Sequence, residues 1–197
     1  TGQYMTSASG SILLGKNAGG SITTGADNYA IGEGALATID GTESLNIAIG
    51  RHAMSGSNAD GMRKNIAIGH YVMDGAGTVG GSSDNIFIGY DAGGGTWTTG
   101  TCAYNVAIGN YAMDAAMNAC NYSVAIGHGE LSAVTVGDHS VCIGYIAASS
   151  YEKYYRNKKS DNLIDNLCGI TGSDYIHLGG FEYTKPTSKK IDSAVGS

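Results

Sequence analysis

The sequence predicts an all-β fold, a parallel β-solenoid or β-roll in which one short strand recurs in about eight coils of 17–20 residues. A glycine-terminated motif that recurs eight times is the first observation, since repeats of this length are typical of solenoids. Composition is the second, because glycine supplies 32 of the 197 residues, against a usual share of about 7%. Charged residues are only 14% of the chain, and glycine disfavours a helix by about 1 kcal/mol relative to alanine. A conventional helical protein is therefore not expected.

Each copy of the motif is predicted to be a strand that ends at a glycine. Aliphatic residues, mostly β-branched, stand three and one positions before it, as Ile66 and Ile68 do before Gly69. Residues two apart point to the same face of a strand, and β-branched residues favour strands. We therefore expect these aliphatic side chains to face the interior of each coil. The eight glycines are Gly15, Gly32, Gly50, Gly69, Gly89, Gly109, Gly127 and Gly144.

The residue between the two aliphatic positions points to the other face of the strand and predicts an oligomer interface. A strand position that faces solvent is normally polar, whereas this column is small and apolar. A coil of 17–20 residues is too short to cover both faces from within, so we expect another subunit to cover this face at close range. The column contains Ala30, Ala48, Ala67, Phe87, Ala107, Ala125 and Cys142.

Three further columns have structural interpretations. The glycine is expected to form a corner, either with a positive φ or with another backbone close by. Three positions after it, a second small residue predicts a second short strand that packs inward. Four positions before it, an asparagine recurs, and stacked coils would place these amides in a hydrogen-bonded ladder; a preference of asparagine for turns is the other interpretation. The asparagines are Asn28, Asn46, Asn65, Asn85 and Asn105.

The chain divides into three regions. Residues 1–148 carry the repeats and the loops between them. Residues 149–168 lack glycine and are rich in charge, and the spacing of their apolar residues predicts a neck with a short helix. Residues 169–197 carry one degenerate strand copy and a polar tail. Because the chain begins at Thr1 rather than at methionine, we expect it to be a fragment or a processed product.

Charge and hydropathy exclude several kinds of partner. Residues 1–150 contain 4 Lys/Arg and 11 Asp/Glu, a net charge of −7, and residues 151–197 contain 7 and 6, a net charge of +1. An acidic body offers no electrostatic footprint for nucleic acid or anionic lipid. No apolar run approaches the ~18 residues that indicate a membrane span, so membrane insertion is not expected.

Residue types that carry chemistry are present, but their spacing predicts neither catalysis nor a cofactor. The four cysteines lack zinc-site spacing, and the five histidines do not cluster, so we expect no metal site. Asp74 and Asp114 share a column two coils apart, and a glycosidase pair would have to form across subunits. Cys102 and Cys120 occupy equivalent positions on adjacent coils, where either a disulfide or two stacked thiols would fit.

A binding surface is the remaining prediction. Aromatic residues recur just after the repeat glycines among asparagine and aspartate, and such mixtures suit recognition of sugars or proteins. The only tryptophan lies in the longest loop, Asp91–Tyr104, beside three glycines that would make the loop flexible. We expect it to be exposed. The alternative for the tyrosines is packing in a seam between subunits. The candidate receptor-binding residues are Tyr71, Tyr90, Asp91, Trp97, Tyr104 and Tyr111.

The repeat, as in Asn46-IAIG-RHAM and Asn65-IAIG-HYVM, resembles that of trimeric phage tail fibres and tailspike tips over about residues 11–148. It is also similar to the repeat of trimeric autotransporter adhesin heads. The resemblance implies a left-handed parallel β-roll in a homotrimer, intertwined or side by side. The spacing departs from the adhesin heads, whose repeats are shorter, and this favours a fibre tip with elaborated loops.

The resemblance further implies a non-enzymatic, receptor-binding tip of a viral tail fibre, located on the virion and extracellular after release. Its partners would be a host-surface polysaccharide or an outer-membrane protein. A trimeric autotransporter adhesin head is the first alternative. A glycan-cleaving tailspike and a hexapeptide-type acyltransferase are lesser alternatives from a different class.

Overall fold

The computed structural model describes residues 9–38, 43–56, 61–76, 81–97, 100–118, 120–132 and 140–145, and the backbone of two further strands. These residues form strands and turns, with no helix among them. The ten strands are β1 (Ile12–Leu14), β2 (Tyr29–Ile31), β3 (Ile47–Ile49), β4 (Ile66–Ile68), β5 (Ile86–Ile88), β6 (Val106–Ile108), β7 (Val124–His128), β8 (Val141–Tyr145), β9 (Tyr175–Leu178) and β10 (Phe181–Thr184).

Strands β1 to β8 pair in parallel in the order of the sequence, which confirms the predicted β-solenoid. The register aligns equivalent repeat positions, so that Ala48 faces Ala67 and Ile49 faces Ile68. Each strand therefore belongs to one coil, and we number coils 1 to 8 by their strands. The expected degenerate copy is β9, which extends the sheet in parallel through Ile143 and Leu178 and pairs with β10 in antiparallel fashion. The predicted neck lies outside the described residues.

The prediction of which strand face is inside is wrong. The small column is fully buried within each coil, and the two aliphatic columns point outward. The cover for the small column comes from the same chain, because the turn after each glycine packs against it. Ala67, for example, is 0% exposed in a single chain, whereas Ile66 and Ile68 are only partly buried. The inner face of most strands has room for small residues only, because a side chain from the following turn, such as Met73 in coil 4, already fills the coil.

Two columns share the volume inside each coil. Where the strand supplies alanine, the residue four positions after the glycine is large, as in coil 4 with Ala67 and Met73. Where the strand supplies a large residue, that position is glycine: a Cβ at Gly93 would lie 2.2 Å from the Phe87 ring, and one at Gly19 would lie 2.7 Å from the Leu13 side chain. The large members are Leu36, Met54, Met73, Met113 and Leu131, all with φ between 51° and 54°.

The asparagine column forms the expected ladder. Asn46 Nδ2 donates to Asn28 Oδ1 at 3.2 Å, Asn65 to Asn46 at 3.2 Å, Asn85 to Asn65 at 2.9 Å and Asn105 to Asn85 at 3.0 Å. Each of these buried amides also donates to a backbone carbonyl, such as that of Met62 or Ser82. Buried polar groups are costly unless they are hydrogen-bonded, so the ladder satisfies its own members and ties the coils together.

Both predicted reasons for the repeat glycine hold. Gly50 has φ of 134°, and a Cβ there would lie 2.2 Å from the carbonyl oxygen of Gly69 on the next coil. The residues after the glycine do not form the predicted second strand; in coils 1 to 6 they are turns. Their third residue is buried as expected, from Ala18 in coil 1 to Glu130 in coil 7.

Candidate functional site

Six aromatic side chains form a continuous row along the outside of coils 3 to 8. The centroids of neighbouring rings lie 5.5–5.9 Å apart, within the range of favourable aromatic pairs. Each coil contributes one ring, so the row runs along the solenoid axis. We call it the aromatic row, and its members are His52, Tyr71, Tyr90, Tyr111, His128 and Tyr145.

The backbone after each repeat glycine holds these rings in place. Row residues occupy the first or second position after the glycine, and those at the second position have positive φ, 59° for both Tyr71 and Tyr111. The amide of Tyr71 donates to the Arg51 carbonyl at 3.0 Å, and that of Tyr111 donates to the Tyr90 carbonyl at 2.9 Å. The Tyr90 amide donates to Asn110 Oδ1 at 2.9 Å. Hydrogen bonds between coils thus fix the backbone under the centre of the row.

Three carboxylates accompany the centre of the row. Burial raises the pKa of Asp91, and burial followed by the charge of Asp91 raises the pKa of both Asp74 and Asp114. Asp91 therefore interacts electrostatically with both of the aspartates, Asp74 and Asp114, that share one column of the sequence repeat. The charges of His52 and His128 partly offset these shifts in the pKa of Asp74 and Asp114, respectively.

At the coil 3 end of the row, basic side chains lie beside an acidic one, unlike the group of carboxylates at the centre. The Arg51 guanidinium lies 5.5 Å from the centre of the Tyr71 ring, and its Nη1 donates to the Tyr71 hydroxyl. Arg51 Nε also lies 3.6 Å from Glu33 Oε2, and Lys16 Nζ lies 3.7 Å from Glu33 Oε1. Positive and negative side chains compensate one another here. At the centre of the row, the charged side chains of the described residues that lower the pKa of Asp74 and Asp114 are His52 and His128.

The structure brings together four of the six predicted binding residues. Tyr71, Tyr90, Asp91 and Tyr111 lie in or beside the aromatic row. Tyr104 does not, because it precedes its strand and stacks on Tyr122, with ring centroids 5.0 Å apart and planes 5° apart. This second pair is half exposed and lies at the opposite end of the strands from the row.

The predicted exposure of Trp97 is wrong. Its side chain is 0% exposed, its ring meets Phe87 edge to face at 5.9 Å, and its Nε1 donates to the Gly93 carbonyl at 3.1 Å. The glycines before it allow close packing rather than flexibility, since a Cβ at Gly95 would lie 2.2 Å from the carbonyl oxygen of Ala115. The large apolar area of tryptophan favours burial, and the interior of coil 5 accepts it.

His52, His128 and Tyr145 are the row members that the predicted set of binding residues did not include. His52 and His128 look scattered because one is the second residue after its glycine and the other is the first. Their position relative to the glycine is the signal that could have found them. The cysteine alternatives are also decided: Cys102 and Cys120 are stacked thiols, with the Cys120 amide 3.3 Å from Cys102 Sγ. Cys142 is buried in the small column.

Within the described ranges, no group of three or more His, Cys, Asp or Glu side chains has the arrangement of a metal site. The same residues include no helix long and apolar enough to cross a membrane. Comparisons with protein-family models, curated proteins and solved structures find no match to this chain.

Proposed function

We propose that this chain is a receptor-binding tip of a phage tail fibre that attaches the virion to a host-surface polysaccharide or outer-membrane protein without chemical change. The observation that carries the proposal is the aromatic row, which a hydrogen-bonded solenoid holds open to solvent. The resemblance of the repeat to those of tail fibres and tailspike tips supports it. Such a tip is part of the virion and works outside the cell.

The chemistry of the row suits adhesion. Tyrosine rings offer flat apolar surfaces and a hydroxyl group, and aspartate and asparagine offer hydrogen-bonding partners for polar ligands. The row needs no rearrangement to bind, because coil-to-coil hydrogen bonds already hold its backbone. Preorganisation of this kind reduces the entropy lost on binding.

We further propose that the chain acts as a homotrimer whose subunits meet on the outer aliphatic face. This face consists of the two outward columns of strands β1 to β8, from Ile12 and Leu14 to Val141 and Ile143. Ile12, Leu14 and Ile143 are 55%, 64% and 45% exposed in the single chain. A contiguous apolar surface on this scale typically marks an interface, and a repeating sheet face of one chain fits the same face of its copies.

The first experiment tests attachment. Fluorescent protein is incubated with a panel of Gram-negative bacteria, and binding is measured by flow cytometry. We expect saturable binding to a subset of strains, a strong reduction for Tyr90→Ala or Tyr111→Ala, and normal binding for Tyr122→Ala, a matched exposed tyrosine outside the row. Release of new reducing ends from purified host glycan would instead make the protein an enzyme, and absence of binding to every strain would reject the proposal.

A second experiment separates assembly from attachment. Light scattering should give three times the mass of the 20.1 kDa chain. A stable, well-folded monomer at micromolar concentration would reject the trimer. If Tyr90→Ala also dissociated the trimer, the row would belong to a seam between subunits rather than to a receptor site.

A further inference from the structure

We infer that the aromatic row binds one linear glycan chain without negative charge, lying parallel to the solenoid axis. This inference rests on the proposed attachment function and specifies its ligand. It follows from the direction of the row, the orientation of its central ring and the charge beside that ring.

The direction of the row fits an extended polymer. Six rings stand on six successive coils, and parallel strands repeat every ~4.8 Å, so the row spans about 24 Å. A globular or branched ligand would contact only part of this length, whereas a linear chain can contact a ring on each coil. Repeating units of the ligand would then meet repeating units of the protein.

The central ring is turned for stacking. Tyr71 stacks on His52 with 16° between their planes, and the Arg51 guanidinium lies over the Tyr71 ring. Tyr90 is inclined by 74° to Tyr71 and by 65° to Tyr111. Tyr90 is therefore not stacked flat on either neighbour, and its side chain is exposed. The apolar face of a pyranose ring can stack on such a surface.

The charge beside Tyr90 selects the ligand. The ion pairs found among the described residues involve Glu33 and Asp84 rather than the three aspartates at the row. Among the described residues, the titratable groups that interact electrostatically with them are each other, the histidines at positions 52 and 128, and Tyr90. Burial is the main cause of the raised pKa of Asp74 and of Asp114, and the negative charge of Asp91 raises both further. An anionic polysaccharide would add further like charge, which disfavours a partner strongly.

Three hexamers with the same β1,4 linkage but different charge provide the test: N-acetylglucosamine (neutral), glucosamine (cationic) and glucuronic acid (anionic). Saturation-transfer NMR with the assembled protein measures binding at low salt. We expect the neutral and cationic hexamers to bind and the anionic hexamer to bind at least tenfold more weakly. Comparison of the cationic with the neutral hexamer shows whether the carboxylates strengthen the binding of a positively charged glycan or only weaken the binding of a negatively charged one.

Variants assign the binding to the row. Tyr90→Ala should reduce binding of the neutral hexamer at least tenfold, with Tyr111→Ala as a second variant in case the first unfolds and Tyr122→Ala as the unchanged control. The triple variant Asp74→Asn/Asp91→Asn/Asp114→Asn should raise binding of the anionic hexamer towards that of the neutral one. Stronger binding of the anionic hexamer to the wild type, an equal loss with Tyr122→Ala, or no binding of any hexamer at millimolar concentration would overturn the inference. Attachment to cells is measured separately, so it can succeed while the glycan assignment fails.

Discussion

The two faces of the same short strands differ in the size of their residues more than in their polarity. Inside the coils, the strands place alanine at most positions, and Ala48 and Ala67 are completely buried. Outside, they place isoleucine, valine or leucine, which remain partly or largely exposed in the single chain. In a narrow solenoid, the inner face is limited by volume. Where a turn residue such as Met73 fills the coil, the larger apolar residues of the strand lie on the outer face, where another molecule can cover them.

The largest effect is expected from a charge on the inner face. Ala67→Arg places an unpaired charge in a space that holds a methyl group, and such burial costs several kcal/mol. We expect loss of cooperative folding, measured by circular dichroism during thermal unfolding. The matched control is Ile68→Arg, the same charge one residue along and on the outer face. A folded Ala67→Arg protein would contradict the assignment of the faces.

Removal of the largest buried side chain should be the next most damaging change. Trp97→Ala deletes a fully buried ring packed on Phe87, and such truncations typically cost 3–5 kcal/mol. We expect a lower midpoint in denaturant-induced unfolding. Tyr145→Ala, which removes an exposed ring, should leave the midpoint nearly unchanged. Equal stability of the two variants would show that Trp97 is not a core residue.

The sharing of interior volume between two columns can be tested in coil 4. Ala67→Leu alone overpacks the coil and should cost about 1–3 kcal/mol. Adding Met73→Gly reproduces the Leu13–Gly19 combination of coil 1 and should recover more than 1 kcal/mol of coupling in a double-mutant cycle. Glycine also suits the φ of 52° at this position. Purely additive effects on the free energy of unfolding would mean that the two columns do not share space.

On the outer face, Ile68→Arg should have a small effect on the fold of the chain and a large one on assembly. Ile68 is partly buried in the single chain, so its replacement should cost far less than a charge on the inner face, but three copies of the charge would meet at the proposed seam. We expect a folded protein of monomer mass by light scattering. Persistence of the trimer would move the seam to another face.

The smallest effect concerns pH. Because the pKa values of Asp74, Asp91 and Asp114 are raised in the folded protein, protonation favours the folded state. This contribution is fully present below the unfolded-state pKa of about 3.9 and is lost as pH rises through the folded value. We expect the free energy of unfolding to fall more steeply with rising pH just above pH ~4 in the wild type than in Asp91→Asn. Identical slopes would show that these carboxylates do not interact.

The candidate site was only partly predictable. Tyr71, Tyr90, Asp91 and Tyr111 could be proposed because aromatic and polar residues recur beside the repeat glycines. Their position in one row with His52, His128 and Tyr145 could not be proposed. Only the turn geometry shows that residues at the first and second positions after the glycine lie side by side. Trp97 was misplaced because loop composition alone does not show whether a segment folds inward.

The sequence by itself determined the period, the parallel pairing of one strand per coil and the glycine corner, and it offered the asparagine ladder as one of two interpretations that the structure then decided. These features depend on equivalent residues meeting on adjacent coils, and a regular repeat specifies that meeting. Only the tertiary structure decided which strand face lies inside. Alternation with a period of two assigns residues to two strand faces, but when both faces are apolar it does not show which one lies inside. Which face lies inside depends on the cross-section of the coil. That cross-section is set by pairs of positions such as Ala67 with Met73 and Phe87 with Gly93. The two residues of each pair are six apart in sequence and border the same space in the folded chain.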